Sequence, residues 1–160
     1  DAIEYVRDKP TPRLAEIDLS DLVDEVGVAL QEQGEDNDPN ALRGWSNAVA
    51  AGETLRGDRD LLYRVFVNLG RNAYEAGATS VTVRSARDGE HRHIDVVDNG
   101  PGVPPELADD IFRPFVGARR AGNAGLGLAI ARELVAVHGG DIAVAATGPQ
   151  GTTFRIDLPA

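Results

Sequence analysis

Apolar side chains recur at helical spacing in three segments of the chain. The longest covers about residues 59–76, where Asp58 precedes the segment as a cap and apolar residues share one face at ~100° per residue. These residues are Leu61, Leu62, Val65, Phe66, Leu69, Ala73 and Ala76. The same spacing predicts a helix over about 21–32, capped by Ser20, and another over about 126–138.

Alternating apolar and polar residues predict two β-hairpins. Residues 80–86 and 92–97 flank an Asp-Gly-Glu turn, and residues 142–146 and 153–158 flank a Thr-Gly-Pro-Gln-Gly segment. The remaining predicted elements are a strand at 17–19, two short strands within 45–56, a short helix from Pro104 to about Ile111 and a loop at 112–124. Because helices and strands do not alternate strictly, the pattern favours an α+β fold. We expect a two-layer sandwich, with about three helices packed on one face of a mixed, mainly antiparallel sheet.

Composition narrows the possible functions. The 160 residues include 26 acidic and 16 basic side chains, for a net charge of -10, and no cysteine. The acidic balance disfavours nucleic-acid binding, and the lack of cysteine excludes disulfides, thiolate metal sites and cysteine nucleophiles. No apolar run approaches the ~20 residues of a membrane-spanning helix. Lys9 is the only lysine and no Gly-Lys-Ser/Thr occurs, so a Walker-type phosphate loop is excluded.

Three polar residues border the apolar face of the 59–76 helix. Asn68, Asn72 and Glu75 stand at positions i, i+4 and i+7, and asparagine is a poor helix former. One interpretation is a pair of amide oxygens that face an ion or phosphates. The other is an ordinary amphipathic helix whose asparagines satisfy a buried polar group. The helix alone leaves both open.

The segment Asp98-Asn99-Gly100-Pro101-Gly102 directly follows an apolar strand. Such a sequence is common in ordinary turns. It also fits an aspartate that accepts a hydrogen bond from an exocyclic amine, such as that of adenine, beside glycines that let a ligand approach the backbone.

Two further glycine-containing segments can likewise be interpreted either as ligand-binding backbone or as ordinary loops and turns. Residues 122–129 lead from a glycine-rich stretch into a helix, where free N–H groups can bind an anion and Arg119 and Arg120 can pair with phosphates. A flexible loop with solvated arginines explains the same residues. Gly151-Thr152 is either a hairpin turn or a place where backbone approaches a ligand.

Taken in order, these segments resemble the ATP-binding domain of sensor histidine kinases, in the superfamily shared with gyrase, the heat-shock chaperone ATPase and MutL. Residues 68–76 are similar to the asparagine box of that family and residues 98–103 to its first glycine box. Residues 111–115 resemble its phenylalanine box, and residues 125–134 its second glycine box. The resemblance covers about residues 14–159 and implies a Bergerat-type ATP-binding fold.

The resemblance also implies a site for ATP and magnesium. Asp98 would bind the adenine amine, with Thr152 helping through water. Asn68 and Asn72 would be the catalytic residues and would hold magnesium and phosphate oxygens. The other implied nucleotide contacts are Glu75, Gly100, Gly102, Val103, Phe115, Arg119, Arg120, Gly122, Gly125, Leu126, Gly127 and Leu128. Residues 112–124 would form a lid over the nucleotide, anchored by Phe115.

Two positions depart from the family pattern. The ATPase branches carry a water-activating glutamate where this chain has Asn68, and a neutral amide cannot act as a general base. The departure favours transfer to a protein acceptor over hydrolysis. Glu75 replaces a basic residue common in sensor kinases, which leaves Arg71, Arg119 or Arg120 to supply positive charge. The alternatives are an ATP-hydrolysing conformational module and a degenerate docking domain without catalysis.

The phosphoacceptor is expected outside this sequence. His91, His93 and His138 lack the acidic-then-proline pattern of the family's acceptor, so we expect them to be structural or exposed. We expect residues 1–13 to be the end of an upstream dimerisation helix plus a proline-containing linker, and residues 14–160 to be the ATP-binding catalytic domain. The expected partners are that histidine-bearing domain and a response-regulator receiver domain, in the bacterial cytoplasm, with a parent protein that a membrane can anchor.

Overall fold

The computed structural model describes residues 10–32, 44–108, 110–113 and 126–159. Its helices are α1 (Leu19–Glu32), α2 (Arg59–Glu75) and α3 (Gly127–Ala136). Its strands are β1 (Ala15–Asp18), β2 (Gly44–Asn47), β3 (Thr54–Gly57), β4 (Ser80–Asp88), β5 (His91–Asp98), β6 (Asp141–Gly148) and β7 (Gly151–Pro159). A single 3₁₀ turn lies at Pro105–Leu107.

The strands form one large and one small sheet. The five-stranded sheet has the order β2-β4-β5-β7-β6, in which β2 and β4 are parallel and the other neighbours antiparallel. Strands β1 and β3 pair separately. Alternate apolar residues of β4, β5 and β7 lie in the same core as the apolar faces of the three helices. The predicted α+β sandwich, with three helices on a mixed, mainly antiparallel sheet, is therefore confirmed.

The predicted start of α1 is wrong by two residues. The helix begins at Leu19, directly after β1, and the Asp18 carboxylate accepts a hydrogen bond of 2.9 Å from the backbone N–H of Asp21. Ser20 lies inside the first turn, where its carbonyl accepts from the Asn47 side chain. Both residue types suit a helix cap. Asp18 takes the role because it stands at the end of the strand, within reach of the unpaired first-turn donors.

The predicted helix from Pro104 to Ile111 is also wrong. Among the described residues of this segment, only the 3₁₀ turn forms, and Ile111 and Phe112 are buried in the core. The Phe112 ring meets that of Phe154 edge-on, with centroids 5.9 Å apart. Burial of two side chains, rather than helical periodicity, fixes this segment. The predicted loop at 112–124 thus begins with a core residue, and most of it lies outside the described residues.

A polar junction holds α2 and α3 together. Asp58 caps α2 as predicted, with its Oδ1 accepting from the Leu61 N–H and its Oδ2 from the Arg13 N–H. Burial acts to raise the pKa of Asp58, but hydrogen bonds from the surrounding backbone amides outweigh it and hold that pKa below its usual value. The Asp58 N–H donates to Nε2 of His138, whose Nδ1 lies 2.7 Å from the Leu134 carbonyl oxygen. His138 is therefore structural, as expected.

Trp45 fills the space between α1 and α2. Its Nε1 donates to the Val23 carbonyl at 2.9 Å, which fixes the indole across α1. A Cβ at Gly27 would collide with the indole, and a Cβ at Gly70 would lie 3.1 Å from its Cζ3. The two glycines let the helices approach the ring closely.

We therefore expect Gly27→Ala to destabilise the fold, although alanine is the better helix former. Overpacking against a fixed ring costs about 1–3 kcal/mol, more than the gain of about 1 kcal/mol in helix propensity. Urea unfolding measures the difference. Val28→Ala is the matched control, because Val28 is 57% exposed on the same helix. Equal stability of Gly27→Ala and the unmodified protein would contradict the packing described.

The outer face of the large sheet carries an ion-pair row. Asp95 is 6% exposed and accepts from Arg155 Nε at 2.8 Å and Nη2 at 3.0 Å, while Arg84 Nε lies 3.4 Å away. Hydrogen bonds from Arg155, against the opposing effect of burial, hold the pKa of Asp95 below its usual range, and Arg84 adds to this. The ionised carboxylate joins three neighbouring strands.

This pair predicts a pH-dependent effect of Asp95→Asn. A carboxyl whose pKa is lower in the folded than in the unfolded protein stabilises the fold above its unfolded pKa of about 3.9. The contribution is lost as the pH falls through the folded value. We expect the variant to be less stable than the unmodified protein at pH 7, and the gap to narrow below about pH 4. Denaturant unfolding at pH 7 and pH 3 measures it, with exposed Asp88→Asn as the control. A gap that widens in acid would contradict the assignment.

Candidate functional site

Asp98 ends β5 on the side of the sheet that faces the helices. It follows Ile94 and Val96 at two-residue spacing, and both of those are buried in the core. Its Oδ1 accepts from the backbone N–H of Gly100 at 2.8 Å and of Thr152 at 3.3 Å. Two backbone amides from separate segments thus fix the carboxylate in place.

A pair of threonines continues from this carboxylate. Thr152 is 4% exposed, and its hydroxyl lies 3.0 Å from that of Thr147. The Thr147 hydroxyl oxygen also accepts from the Val103 N–H at 2.8 Å. These contacts join Asp98, Thr152 and Val103, which the sequence analysis selected, through Thr147, which it missed.

Glycines bring the backbone of these segments together. Gly102 has φ of +87°, and a Cβ there would collide with the Gly148 carbonyl oxygen. A Cβ at Gly151 would collide with the Asp98 carbonyl oxygen. The Asn99 side chain stabilises the turn, because its Oδ1 accepts hydrogen bonds from the N–H groups of Thr79 and Ser80 at 2.8 and 3.0 Å. The Asp-Asn-Gly turn is therefore anchored to the start of β4.

An open cleft of ≈ 540 Å³ lies beside this network. It is bounded by the end of α2, by the loop after β5 and by the turn between β6 and β7. Its lining residues are Glu75, Ala76, Pro101, Gly102, Val103, Pro104, Thr147, Gly148 and Pro149. Glu75, Gly102 and Val103, three of the predicted contacts, thus share one cleft.

The asparagines of α2 lie close to the start of α3. Asn68 and Asn72 are both half-buried, and Glu75 is exposed one turn further on. A Cβ at Gly127 would lie 4.0 Å from the Asn68 Cβ. Asn68 and Gly127 are 59 positions apart in the sequence. The second glycine-rich segment therefore lies next to the asparagine pair in space.

The start of α3 presents backbone donors. In the described part of the chain, no side chain caps the helix, which is preceded by half-buried Leu126. The first N–H groups of a helix have no partner within it. Leu128 points its side chain into the core at 5% exposed, so only its backbone is available to a ligand at this position.

Five predicted contacts fall outside the described residues. They are Phe115, Arg119, Arg120, Gly122 and Gly125. Across residues 10–32, 44–108, 110–113 and 126–159, no group of three or more His, Asp or Glu residues could hold a metal ion. The helices in these same ranges are all too short or too polar to cross a membrane.

His91 and His93 lie on the outer face of the sheet. Nδ1 of His91 lies 3.0 Å from an Asp157 carboxylate oxygen, and Nε2 of His93 lies 3.8 Å from the same atom. The His91 side chain is 59% exposed. Neither side chain points toward Asp98, since residues of odd and even number in β5 face opposite sides of the sheet.

Known proteins share these sequence and structural features. The family described as histidine kinase-, DNA gyrase B- and HSP90-like ATPase matches residues 57–160. The sensory histidine kinase/phosphatase NtrB of Rhodobacter capsulatus is 40% identical over a 118-residue alignment that covers 64% of this chain and 33% of that protein. The C4-dicarboxylate transport sensor protein DctS of Rhodobacter capsulatus is 34% identical over a 160-residue alignment that covers 94% of this chain and 23% of that protein.

Solved structures agree with the family match. Full-length ShkA in complex with AMPPNP superposes with a TM-score of 0.82 at 27% identity, over 99% of this chain and 34% of that one. The nucleotide-free catalytic domain of histidine kinase ThkA gives a TM-score of 0.77 at 26% identity, over 92% of this chain and 95% of that one. This chain spans about a third or less of the length of NtrB and DctS. It belongs to the histidine kinase-, DNA gyrase B- and HSP90-like ATPase family, and its relatives are sensor histidine kinases.

Proposed function

We propose that this chain binds MgATP and transfers the γ-phosphoryl group to a histidine on an adjacent dimerisation domain, in two-component signalling. The observation that carries the proposal is the Asp98 carboxylate, which the amides of Gly100 and Thr152 fix in place. Asp98 and Thr152 line an open groove that shares Thr147 with the cleft at the end of α2. A fixed carboxylate can accept from the adenine amine with little reorganisation. The AMPPNP complex of ShkA supports a nucleotide in this fold.

The proposed roles divide along the site. Asp98, Thr152, Gly100, Gly102 and Val103 bind the adenine end. Gly127, with the backbone of Leu126 and Leu128, faces the phosphates at the start of α3, where the helix dipole favours an anion. The roles given to Glu75, Phe115, Arg119, Arg120, Gly122 and Gly125 are part of the same proposal.

Magnesium fits the donor set near Asn68 and Asn72. Magnesium prefers oxygen ligands and is commonly held by one or two protein groups together with substrate phosphates. Two amide oxygens one helical turn apart match that preference. Asn72 and Asn68 would hold the ion, which would neutralise charge on the phosphates.

The chain's contribution to transfer is positioning and charge stabilisation. The acceptor imidazole is itself the nucleophile, so Asn68 need only orient or polarise the reacting groups. We propose that residues 1–13 connect the catalytic domain, residues 14–160, to the histidine-bearing domain. A response-regulator receiver domain then takes the phosphoryl group. The proposed location of this domain is the bacterial cytoplasm, and a parent protein anchored in a membrane is compatible with that location.

Phosphate transfer from this chain to a histidine-bearing dimerisation domain tests the proposal. The chain, joined to such a domain, is incubated with γ-labelled ATP and magnesium, and the label is followed to protein or to inorganic phosphate. The expected product is an acid-labile, alkali-stable phosphohistidine. Release of all label as inorganic phosphate would instead favour the hydrolytic module, and failure to bind nucleotide would favour the docking domain.

Replacement of Asn68 by glutamate tests why hydrolysis is disfavoured. General-base catalysis typically contributes 10²–10⁴-fold, so we expect Asn68→Glu to raise steady-state phosphate release about ten-fold or more. Asn68→Gln is the matched control, because it has the same length without a basic group. A malachite-green phosphate assay gives the rates. Unchanged release in the glutamate variant would contradict the role assigned to this position.

A further inference from the structure

An irregularity in β6 brings Thr147 to the adenine end of the site. Strand β6 pairs regularly with β7 up to Val144, which lies opposite Phe154, and the register then shifts between Val144 and Ala146. After the shift Thr147 lies opposite Thr152. In a regular antiparallel ladder Ala146 would occupy that place, because each step beyond the Val144–Phe154 pair moves one residue along each strand. The bulge thus replaces a methyl group with a hydroxyl beside Thr152.

The hydrogen bonds around Thr147 constrain where the hydroxyl protons point. Its oxygen accepts from the Val103 N–H at 2.8 Å and lies 3.0 Å from the Thr152 hydroxyl oxygen. A hydroxyl has one proton to donate and two lone pairs. Acceptance from a backbone amide polarises the Thr147 O–H and strengthens it as a donor. Either hydroxyl can donate across the 3.0 Å contact, and this polarisation favours Thr147 as the donor to Thr152.

We propose that Thr147 is a positioning residue for base recognition, which turns the Thr152 hydroxyl into a donor toward the nucleotide base. Once Thr147 donates to Thr152, the Thr152 proton is available to the base or to a water beside it. This inference rests on the proposed nucleotide function and deepens it by specifying the donor pattern that the site reads.

The resulting pattern selects adenine over guanine. The Asp98 carboxylate is an acceptor, and the Thr152 hydroxyl is then a donor. The two residues are held side by side because the Thr152 N–H donates to Asp98 Oδ1 at 3.3 Å. Adenine presents the complementary pair, an exocyclic amine donor beside the N1 acceptor. Guanine presents the reverse, an O6 acceptor beside an N1–H donor. A reversed pair leaves polar groups unmatched, which is costly in a buried site.

A double-mutant cycle between the protein and the nucleotide tests the inference. The probes are ATP and 1-deaza-ATP, which keeps the amine but lacks the N1 acceptor. Their dissociation constants are measured for the unmodified protein, Thr147→Val and Thr147→Ser. We expect Thr147→Val to weaken ATP binding about five- to ten-fold, the size of one neutral hydrogen bond, and to leave 1-deaza-ATP binding unchanged. Thr147→Ser keeps the hydroxyl and should restore ATP binding.

The other outcomes are distinguishable. Equal weakening of both nucleotides by Thr147→Val would assign Thr147 a purely structural role and overturn the inference, as would unchanged ATP affinity. A melting temperature within error of the unmodified protein confirms that Thr147→Val is folded. If Thr147→Ser lowers ATP affinity as much as Thr147→Val does, the inference is also overturned. Failure of the unmodified protein to bind ATP would overturn the proposed function, and the inference with it.

Discussion

Asp98→Ala should weaken ATP binding by about 5- to 150-fold. The substitution removes the acceptor for the adenine amine, and leaving that amine unpaired in the bound state costs about 1–3 kcal/mol. It also removes the anchor that receives the N–H groups of Gly100 and Thr152. Isothermal titration calorimetry with a non-hydrolysable ATP analogue measures the loss.

Asp98→Asn separates recognition from anchoring. Its amide oxygen can still accept from Gly100 and Thr152, while its amide nitrogen places a donor where the carboxylate offered an acceptor. We expect affinity to fall as in Asp98→Ala, with little change in melting temperature. Exposed Asp88→Ala should leave affinity unchanged. Full ATP affinity in Asp98→Asn would mean that the adenine pocket lies elsewhere.

Asn72→Ala should abolish most of the magnesium enhancement of ATP binding. We assign Asn72 to the ion and the phosphate oxygens, and interactions with charged groups contribute about 1.5–3 kcal/mol, or roughly 10- to 150-fold in affinity. Titrations with and without magnesium give the enhancement for each protein. The loss should extend to the proposed transfer to a histidine-bearing domain.

Adenosine supplies the internal control for both asparagine and aspartate variants. It carries the base without phosphates, so its binding should survive Asn72→Ala and fall in Asp98→Asn. Loss of adenosine binding in Asn72→Ala would contradict the assignment of Asn72 to the phosphate end. Undiminished magnesium enhancement in that variant would contradict its place near the metal.

Candidate site residues were easiest to select from the sequence where a polar side chain interrupts a regular apolar pattern or follows the end of a strand. Asp98 follows an apolar strand and is trailed by glycines, and Asn68 and Asn72 stand out on a helix whose apolar arc is regular. Each of these positions stands out in the local pattern, which by itself leaves a functional and a structural interpretation open. The helix–sheet layering follows from the same periodicities, because each element has one apolar face to bury.

Other features depend on contacts that local pattern does not encode. Thr147 reaches Thr152 only because β6 shifts register after Val144, and no periodicity in an alanine-rich strand indicates the shift. Phe112 belongs to the core because it meets Phe154, a residue far along the chain. The choice of Asp18 over Ser20 as a cap is decided by where β1 ends.

Titration of this chain with a non-hydrolysable ATP analogue, with and without magnesium, decides whether it binds MgATP. We expect saturable binding in the micromolar range that magnesium strengthens. A folded sample that binds no nucleotide at millimolar concentration would contradict it.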